Sequence, residues 1–584
     1  MAQTDEAVST ADQVAREVFG FALKSAQRRA IDAVVYGRDT LAVLPTGSGK
    51  SAIYQVGGLV RGGLTVVVSP LIALQRDQTR SLAARRRADG RPVSVVALNS
   101  TLPVHARRAA LDSVNAGAAD FLMLGPEQLA NAETHAHLAN SGSPVELFVV
   151  DEAHLVSEWG HDFRPEYLRI RDTVEALGRP PTLGLTATAS PPVQADISRQ
   201  LGLRAPEVVI GDFDRPNIRL SVRTTRPGAP EEQAVADRVV EAVIEHETPA
   251  IVYAMSHARC EDIAERLRLA AFKAAAYHAG MPAAERTKVQ DGFFAGRLEV
   301  IVATSAFGMG IDKPDVRTIV HAGPPASLDE YYQEIGRAGR DGKSAAAELV
   351  FDSRSLRVPR LFAARPRFAE PTVRAIVAAL DAAASAEPVS IADLVAGHGL
   401  PRQPTERVLA ELAELGLVTI KDGVVAPLPC GLPSVATQEV ADAGRRRASV
   451  LNSEVDSVRY YAETVKCRRA ELLAYFGQDF PAPCENCDND TILSRSKAHA
   501  AAPQPANTST APPAQLAAEQ SAAEQQAAGS ATARLRPGTK VEHRLWGEGV
   551  LLSIDEHEMV VAFDSVGYRH LTTAVLVDGL VRPA

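Results

Sequence analysis

Short apolar runs without polar alternation recur along the first two thirds of the chain, each followed by a segment of helical spacing. The first series lies at 40–44, 65–69, 93–98, 121–124, 147–150 and 182–186. The second lies at 250–253, 274–277, 300–303, 318–321 and 347–351. Strands that are apolar on both faces belong to parallel sheets covered by helices. Both series therefore predict βαβ units wound into α/β lobes with doubly wound parallel sheets. The rhythm then changes. Helical patterns at 371–384, 391–398 and 405–415 precede two apolar runs, 417–420 and 424–428, that flank Lys421-Asp422-Gly423. Asp-Gly between apolar runs signals a hairpin, so this segment reads as a winged helix or, more generally, as a helical insert. One helix is expected over 454–477. Residues 491–534 are rich in Ala, Ser, Gln and Pro and hold no Phe, Trp or Tyr. They cannot bury a core and read as a flexible linker. Strand patterns return at 540–541, 549–554, 559–563 and 570–573 and predict a small β-barrel. The expected organisation is two lobes at 1–213 and 214–355, a winged helix at 356–435, a helical cysteine-bearing module at 436–490, a disordered linker at 491–534 and the barrel at 535–584.

Composition changes this picture little. The 584 residues are 46% hydrophobic and 23% charged, which excludes fibrous, wholly disordered and disulfide-stapled classes. No run of about 18 apolar residues exists, so no spanning helix is expected. The first ten residues lack the basic start and apolar stretch of a signal peptide, and the expected location is the cytoplasm. The net charge of −9 does not suggest a nucleic-acid partner, yet most of the 62 basic residues are arginine, whose planar forks suit phosphate. Of five cysteines, Cys467, Cys484 and Cys487 cluster with the spacing of metal ligands.

Three constellations carry chemistry. The first is Thr46-Gly47-Ser48-Gly49-Lys50-Ser51, between a buried strand and an apolar helix. Glycines let backbone N–H groups approach phosphate oxygens, Lys50 reaches the outer phosphates, and Ser51 holds magnesium. The strict motif would place Gly at Leu44. The second is Asp151-Glu152-Ala153-His154 at the end of the strand 147–150. Asp151 is expected to hold magnesium and Glu152 to orient and deprotonate a water. The third is 333–342, in which Arg337 and Arg340 stand three apart on one expected helical face, placed to act as catalytic arginines on a γ-phosphate.

With these residues in hand, the chain resembles the RecQ family of superfamily 2 DNA helicases. The resemblance rests on Leu-Pro-Thr-Gly-Ser-Gly-Lys-Ser (44–51), Val-Ser-Pro-Leu-Ile-Ala-Leu (68–74), Asp-Glu-Ala-His (151–154), Trp-Gly-His-Asp-Phe-Arg-Pro-Glu-Tyr (159–167), Leu-Thr-Ala-Thr-Ala (185–189), Phe-Asp-Arg-Pro-Asn (213–217), the run 303–314 and the run 333–342, in family order over residues 15–352. It implies two RecA-like lobes with ATP and Mg²⁺ between them. Gln27, with Phe19-Gly20-Phe21, is similar to the family's adenine-reading segment, although Lys24 stands where Arg is usual; Gln333 joins the ATP-binding set. Trp159, Phe163 and Arg164 are implied to sense single-stranded DNA, with Glu158 replacing an expected Gln.

The family's zinc run is matched by Cys467, Cys484 and Cys487, but its fourth cysteine is here Asp490; Asp488 and His499 are alternative fourth ligands for Zn²⁺. Two further departures stand out. The winged helix precedes the zinc segment instead of following it, and the chain shows no clear match to the family's usual C-terminal helical DNA-binding domain. The tail resembles the Tudor- or SH3-like barrel that ends UvrD-type helicases, which implies docking to a protein such as RNA polymerase or a repair protein, or to nucleic acid. The expected activity is ATP-driven 3′-to-5′ translocation on single-stranded DNA with unwinding of forked duplexes in DNA repair and recombination, near the nucleoid. The alternatives are an ATP-switched DNA-binding scaffold and an RNA-directed helicase.

Overall fold

The computed structural model describes residues 10–70, 72–99, 101–157, 167, 170–308, 313–365, 368–383, 388–421, 423–427, 433–492, 535–555, 558–577 and 580–584. Lobe 1 contains β1 (Thr40–Val43), β2 (Leu64–Val68), β3 (Val95–Leu98), β4 (Phe121–Leu124), β5 (Val145–Val150), β6 (Thr182–Thr186) and β7 (Glu207–Ile210). They form one parallel sheet of order β3-β4-β2-β5-β6-β1-β7. Lobe 2 contains β8 (Ile218–Thr224), β9 (Ala250–Ala254), β10 (Ala274–Tyr277), β11 (Val300–Ala303), β12 (Thr318–Ala322) and β13 (Ala345–Phe351), again all parallel, in the order β10-β11-β9-β12-β13-β8. The expected pair of doubly wound lobes is present. Residues of β1, β2, β4, β6, β9, β11, β12 and β13 are buried throughout, which is why these strands read as continuous apolar runs.

The next unit has the order helix Glu370–Ala383, β14 (Val389–Ser390), helices Ile391–His398 and Arg402–Glu414, then β15 (Val418–Lys421) and β16 (Val424–Pro427). The three strands pair antiparallel as β14-β16-β15, the topology of a winged helix. Its apolar core is its own, built on Ile376, Leu380, Leu394, Val408, Leu409 and Leu412.

The single helix expected over 454–477 is corrected. A long helix, Pro433–Glu463, ends first, and a separate helix, Arg468–Tyr475, starts with Cys467 at its N-cap. The break turns Cys467 toward the other two cysteines. Of the expected linker 491–534, the first two residues close a helical turn that runs over 488–492, a correction of its start; residues 493–534 lie outside the described residues, as does His499.

The C-terminal strands are β17 (Lys540–His543), β18 (Gly547–Ile554), β19 (Glu558–Phe563), β20 (Gly567–Thr572) and β21 (Val581–Pro583). They form an antiparallel sheet of order β20-β19-β18-β17-β21, with ladder pairing, among the described residues, between successive neighbours only, over a small core of Val541, Leu551, Met559, Val561 and Phe563. A larger core cluster links both lobes, the cysteine module and the inner face of this sheet, ending at Leu552, Ala562 and Tyr568. Among the described residues no helix is long and apolar enough to cross a membrane.

Candidate active site and metal centre

In lobe 1, β1 and β5 flank β6, so the loops after these three strands meet at one edge of the sheet. Ligands of open parallel sheets bind at this carboxyl edge. The loop after β1 holds Gly47 and Gly49 at φ +79° and +82°, a left-handed backbone that suits glycine, and Ser51 opens the helix Ser51–Arg61. Gln27 clamps this loop from below: its Nε2 donates to the carbonyls of Ser48 (2.9 Å) and Gly49 (3.0 Å), while its Oε1 accepts from Lys24 N (2.9 Å). Both amide hydrogens are thus occupied by the loop. A Cβ at Gly49 would stand 2.7 Å from Gln27 Nε2, so the clamp also needs the glycine.

Lys50 Nζ donates to the Leu44 carbonyl (3.2 Å). Burial lowers its pKa, as does Arg340, while Glu152 and Asp151 oppose the shift. Asp151 is pushed up to about 7 by burial and by the charge of Glu152, with Lys50 pulling the other way. A polyvalent cation supplies the charge that such a desolvated acid lacks, so Asp151 and Ser51 fit a magnesium site. Glu152 adopts φ 50°, ψ 49°, unusual for a residue with a side chain. Its Oε2 is buried without a hydrogen bond, 3.4 Å from His154 Nδ1. That nitrogen is 3.0 Å from Thr186 Oγ1. Thr186 Oγ1 in turn donates to the Thr188 carbonyl (2.9 Å), and Thr188 Oγ1 accepts from Gln333 Nε2 of lobe 2 (2.7 Å). A string of side chains therefore runs from the carboxylate to the opposite lobe.

Lobe 2 supplies the other wall. A cleft of about 370 Å³ is lined by Gln27, Thr46, Gly47 and Ser48 on one side and by Arg215, Asn217, Gly339 and Arg340 on the other. The two expected arginines are not on a helix: Leu328–Ile335 ends before them, and they occupy the turns that follow. Arg340 lines the cleft, whereas Arg337 is buried and donates to the Gly308 carbonyl inside lobe 2. Two residues that the sequence reading left out of the site shape this turn. Arg215 donates to the carbonyls of Gly336 (3.0 Å), Ala338 (2.7 Å) and Gly339 (3.2 Å), and Asn217 Nδ2 to those of Gly339 and Lys343 (2.9 Å each). Both sit in the matched run 213–217, which was the available signal. Trp159, Phe163 and Arg164 lie outside the described residues.

The ligand atoms of Cys467, Cys484, Cys487 and Asp490 all lie within 4.8 Å of one another. Hydrogen bonds from Cys484 and Cys487 pull the Cys467 thiol down, toward the thiolate that binds metal, while the same contacts push the Cys484 thiol up. Asp490 Oδ2 is held by the backbone amides of Cys484 (2.7 Å) and Glu485 (3.1 Å), and the amides of Asn486 and Asp490 donate to the sulfurs of Cys484 and Cys487 (3.4 Å each). Three sulfurs and a carboxylate oxygen held in this way fit Zn²⁺. Asp488, the other described candidate, is turned away: it pairs with Arg468 and accepts from Val222 N (3.0 Å). The same loop extends the lobe 2 sheet, where Leu220 N donates to Asn486 O (3.2 Å) and Leu220 bridges Cys487. The module also grips the segment between the lobes. Arg469 pairs with Asp214, Gln478 bonds Asp212 and Phe213, and Phe476 stacks on Phe213 with centroids 4.8 Å apart.

Family models match residues 24–197 (DEAD/DEAH box helicase), 234–342 (helicase conserved C-terminal domain) and 436–491 (RecQ zinc-binding). The chain is 38% identical over 342 residues to the probable ATP-dependent DNA helicase RecS of Bacillus subtilis, covering 58% of this chain and 66% of that protein. It is 33% identical over 482 residues to the ATP-dependent DNA helicase RecQ of Pasteurella multocida, covering 82% of this chain and 62% of the relative. The RecQ helicase of Haemophilus influenzae is 32% identical over 481 residues, 82% of this chain and 63% of that one. The chain thus spans just under two thirds of the length of these curated relatives. Two parallel-sheet lobes around a loop-and-arginine cleft, followed by a cysteine module that matches the RecQ zinc-binding model, lead to one conclusion: the chain belongs to the RecQ family of superfamily 2 helicases.

Proposed function

We propose that this chain is an ATP-dependent DNA helicase that couples ATP hydrolysis to 3′-to-5′ movement on single-stranded DNA and opens forked duplexes in repair and recombination. The observation that carries the reading is the shared cleft: Thr46, Gly47 and Ser48 of the loop and Arg340 line it from the two lobes, with the paired acids at the same sheet edge. In this reading Thr46, Gly47, Ser48, Gly49 and Lys50 cradle the phosphates of ATP, and Gln27 keeps their loop in shape. Ser51 and Asp151 would hold Mg²⁺, which neutralises phosphate charge when bound. Glu152, whose buried Oε2 has an open acceptor position, orients and deprotonates the attacking water. Arg340 stabilises charge on the transferring phosphoryl group, and Arg337 braces the turn that presents it. Gln333 reports the state of the lobe 1 loop to lobe 2 through Thr188.

Changes in the cleft move the lobes along the strand, and Trp159, Phe163 and Arg164 couple DNA contact to hydrolysis. Each base-pair step resists opening by only about 1.4 kcal/mol of stacking, so a motor that blocks re-annealing separates strands. Zn²⁺ at Cys467, Cys484, Cys487 and Asp490 stiffens the module that grips the lobe junction. Action near the nucleoid follows from a DNA substrate. The exposed Leu545 beside Trp546 offers an apolar tip on the C-terminal sheet for a protein partner, RNA polymerase or a repair protein.

A forked-duplex assay with ATP tests the reading. ATP-dependent strand separation, with ATPase stimulated by DNA more than by RNA, is expected. ATPase without separation would identify a switched scaffold, and stronger stimulation by RNA an RNA-directed enzyme. Trp159→Ala should keep basal hydrolysis and lose the stimulation by DNA.

A further inference from the structure

The C-terminal sheet is docked on the motor. Its strand β20 lies along the long helix Pro433–Glu463: Tyr568 N donates to Ser453 Oγ (2.9 Å), and Ser449 Oγ donates to the Val566 carbonyl (3.3 Å). The Tyr460 and His570 rings lie 3.9 Å apart. Lys466 Nζ reaches Asp555 (2.8 Å) and Glu558 (2.9 Å). The fit is close enough that a Cβ on Gly567, at φ +73°, would fall 2.1 Å from Ser453 Oγ and 3.0 Å from Val450 Cα.

This docking carries the Tyr568 hydroxyl to a buried junction of three other parts. It is 2.7 Å from Ser190 Oγ of lobe 1 and 3.2 Å from the Tyr475 hydroxyl of the zinc module. The Tyr475 hydroxyl is 2.6 Å from Asp329 Oδ2 of lobe 2. The four side chains therefore form one continuous hydrogen-bonded chain from Ser190 through Tyr568 and Tyr475 to Asp329. Ser190 stands at the N-cap of the helix Pro191–Gln200, whose first two residues are prolines without an amide hydrogen; its side chain makes no cap bond and faces the tyrosine.

The ends of this chain sit beside the lobe contact at the cleft. Asp329 is one helical turn before Gln333, and Ser190 is two residues after Thr188, which Gln333 already holds at 2.7 Å. The same loop and the same helix are therefore joined twice, once directly and once through tyrosines that belong to neither lobe. The loop continues back to Thr186, whose hydroxyl meets His154 beside Glu152.

We propose that Tyr568 is a positioning residue for ATP hydrolysis: through Ser190 and Tyr475 the C-terminal sheet fixes the loop 186–190 against the helix Leu328–Ile335, and so sets the alignment of Glu152. The proposal rests on the reading of the cleft as an ATPase site. Misplacement by about 1 Å suffices to cost catalysis, so a contact outside the cleft can act on turnover.

The test uses the full chain with Tyr568→Phe, which keeps the ring, and Ser190→Ala, which cuts the same bond from lobe 1. Both should lower kcat of DNA-stimulated hydrolysis by roughly fivefold, the scale of one neutral hydrogen bond, with KM for ATP unchanged. Amide exchange should quicken over 186–194 while strands 540–543 and 547–554 keep their protection. Gly567→Ala, which pushes the sheet off the helix, should reproduce both effects. Unchanged kcat in Ser190→Ala, or a fall in Tyr568→Phe only alongside lost protection across the sheet, would overturn the proposal. A wild-type chain without ATPase activity would end the reading of the cleft instead, and the exchange measurement would still decide the contact.

Discussion

Gln27 distinguishes two ways of recognising a nucleotide. The family resemblance assigns it to adenine, yet the structure engages both of its amide hydrogens with the phosphate loop and its oxygen with Lys24 N. The change Gln27→Met keeps length and volume and removes all three bonds. Two of them, to Ser48 O and Gly49 O, hold the loop, and a neutral hydrogen bond is worth about 1 kcal/mol net. Their loss amounts to about 2 kcal/mol, or about 30-fold in apparent affinity. Because in the proposed site the loop grips phosphates and not the base, the penalty should fall equally on ATP and GTP. Steady-state hydrolysis of both nucleotides by wild type and variant, with KM for each, measures this. A penalty confined to ATP would show that Gln27 reads the base and that the clamp contributes little. Unchanged KM for both would refute the clamp altogether.

The remaining predictions concern the acids, the metal and the tail junction. Lys50→Ala and Glu152→Gln should each cut DNA-stimulated ATP hydrolysis by about 10²-fold or more while thermal melting stays near wild type; turnover within tenfold of wild type contradicts the assigned roles. Purified protein should hold one zinc per chain by emission spectroscopy. Asp490→Ala should weaken retention against a chelator by more than the roughly 10–100-fold typical of supporting residues, and Asp490→Cys should strengthen it; equal retention in both variants removes Asp490 from the site. Glu454 is buried at the tail junction, and its carboxyl is pushed well above 4.5 by burial and by Asp329 and Glu330, with Arg447 opposing. The folded state therefore keeps a proton that the unfolded state releases, so this group's stability is full below about pH 4.5 and is lost as pH rises through the raised value. Glu454→Gln mimics the protonated form and should gain stability relative to wild type in denaturant titrations at pH 8 but not at pH 4.5; a difference that does not change with pH is the failing result.

The legible parts of this protein were local. Residues 46–51 and 151–154 announce themselves because a loop between a buried strand and a helix leaves few chemical options. The core strands announce themselves because both faces are buried. The strands β7 and β8 escaped because each is an edge strand with mixed burial, as in Ile218-Arg219-Leu220-Ser221. The helix break at 464–467 escaped because apolar spacing continues across it, and only the cysteine cluster dictates the turn. Arg215 and Asn217 show the deeper limit: the chain displays donors, but the carbonyls they serve lie more than a hundred residues away. The place of Tyr568 was unreadable for the same reason, since its hydroxyl and amide partners come from three separate segments.

The zinc loop has a role in the life of the chain before any nucleotide arrives. Strand β8 is the last in its sheet, and the amides of Leu220 and Val222 on its outer side are taken by Asn486 O and Asp488. During synthesis some 260 residues must follow β8 before that cover leaves the ribosome, and until then the border is an open template for pairing with other chains. Metal capture at Cys484 and Cys487 would hold the loop that closes it. Starving the cell of zinc should therefore produce aggregates of newly made protein well before it silences molecules already assembled.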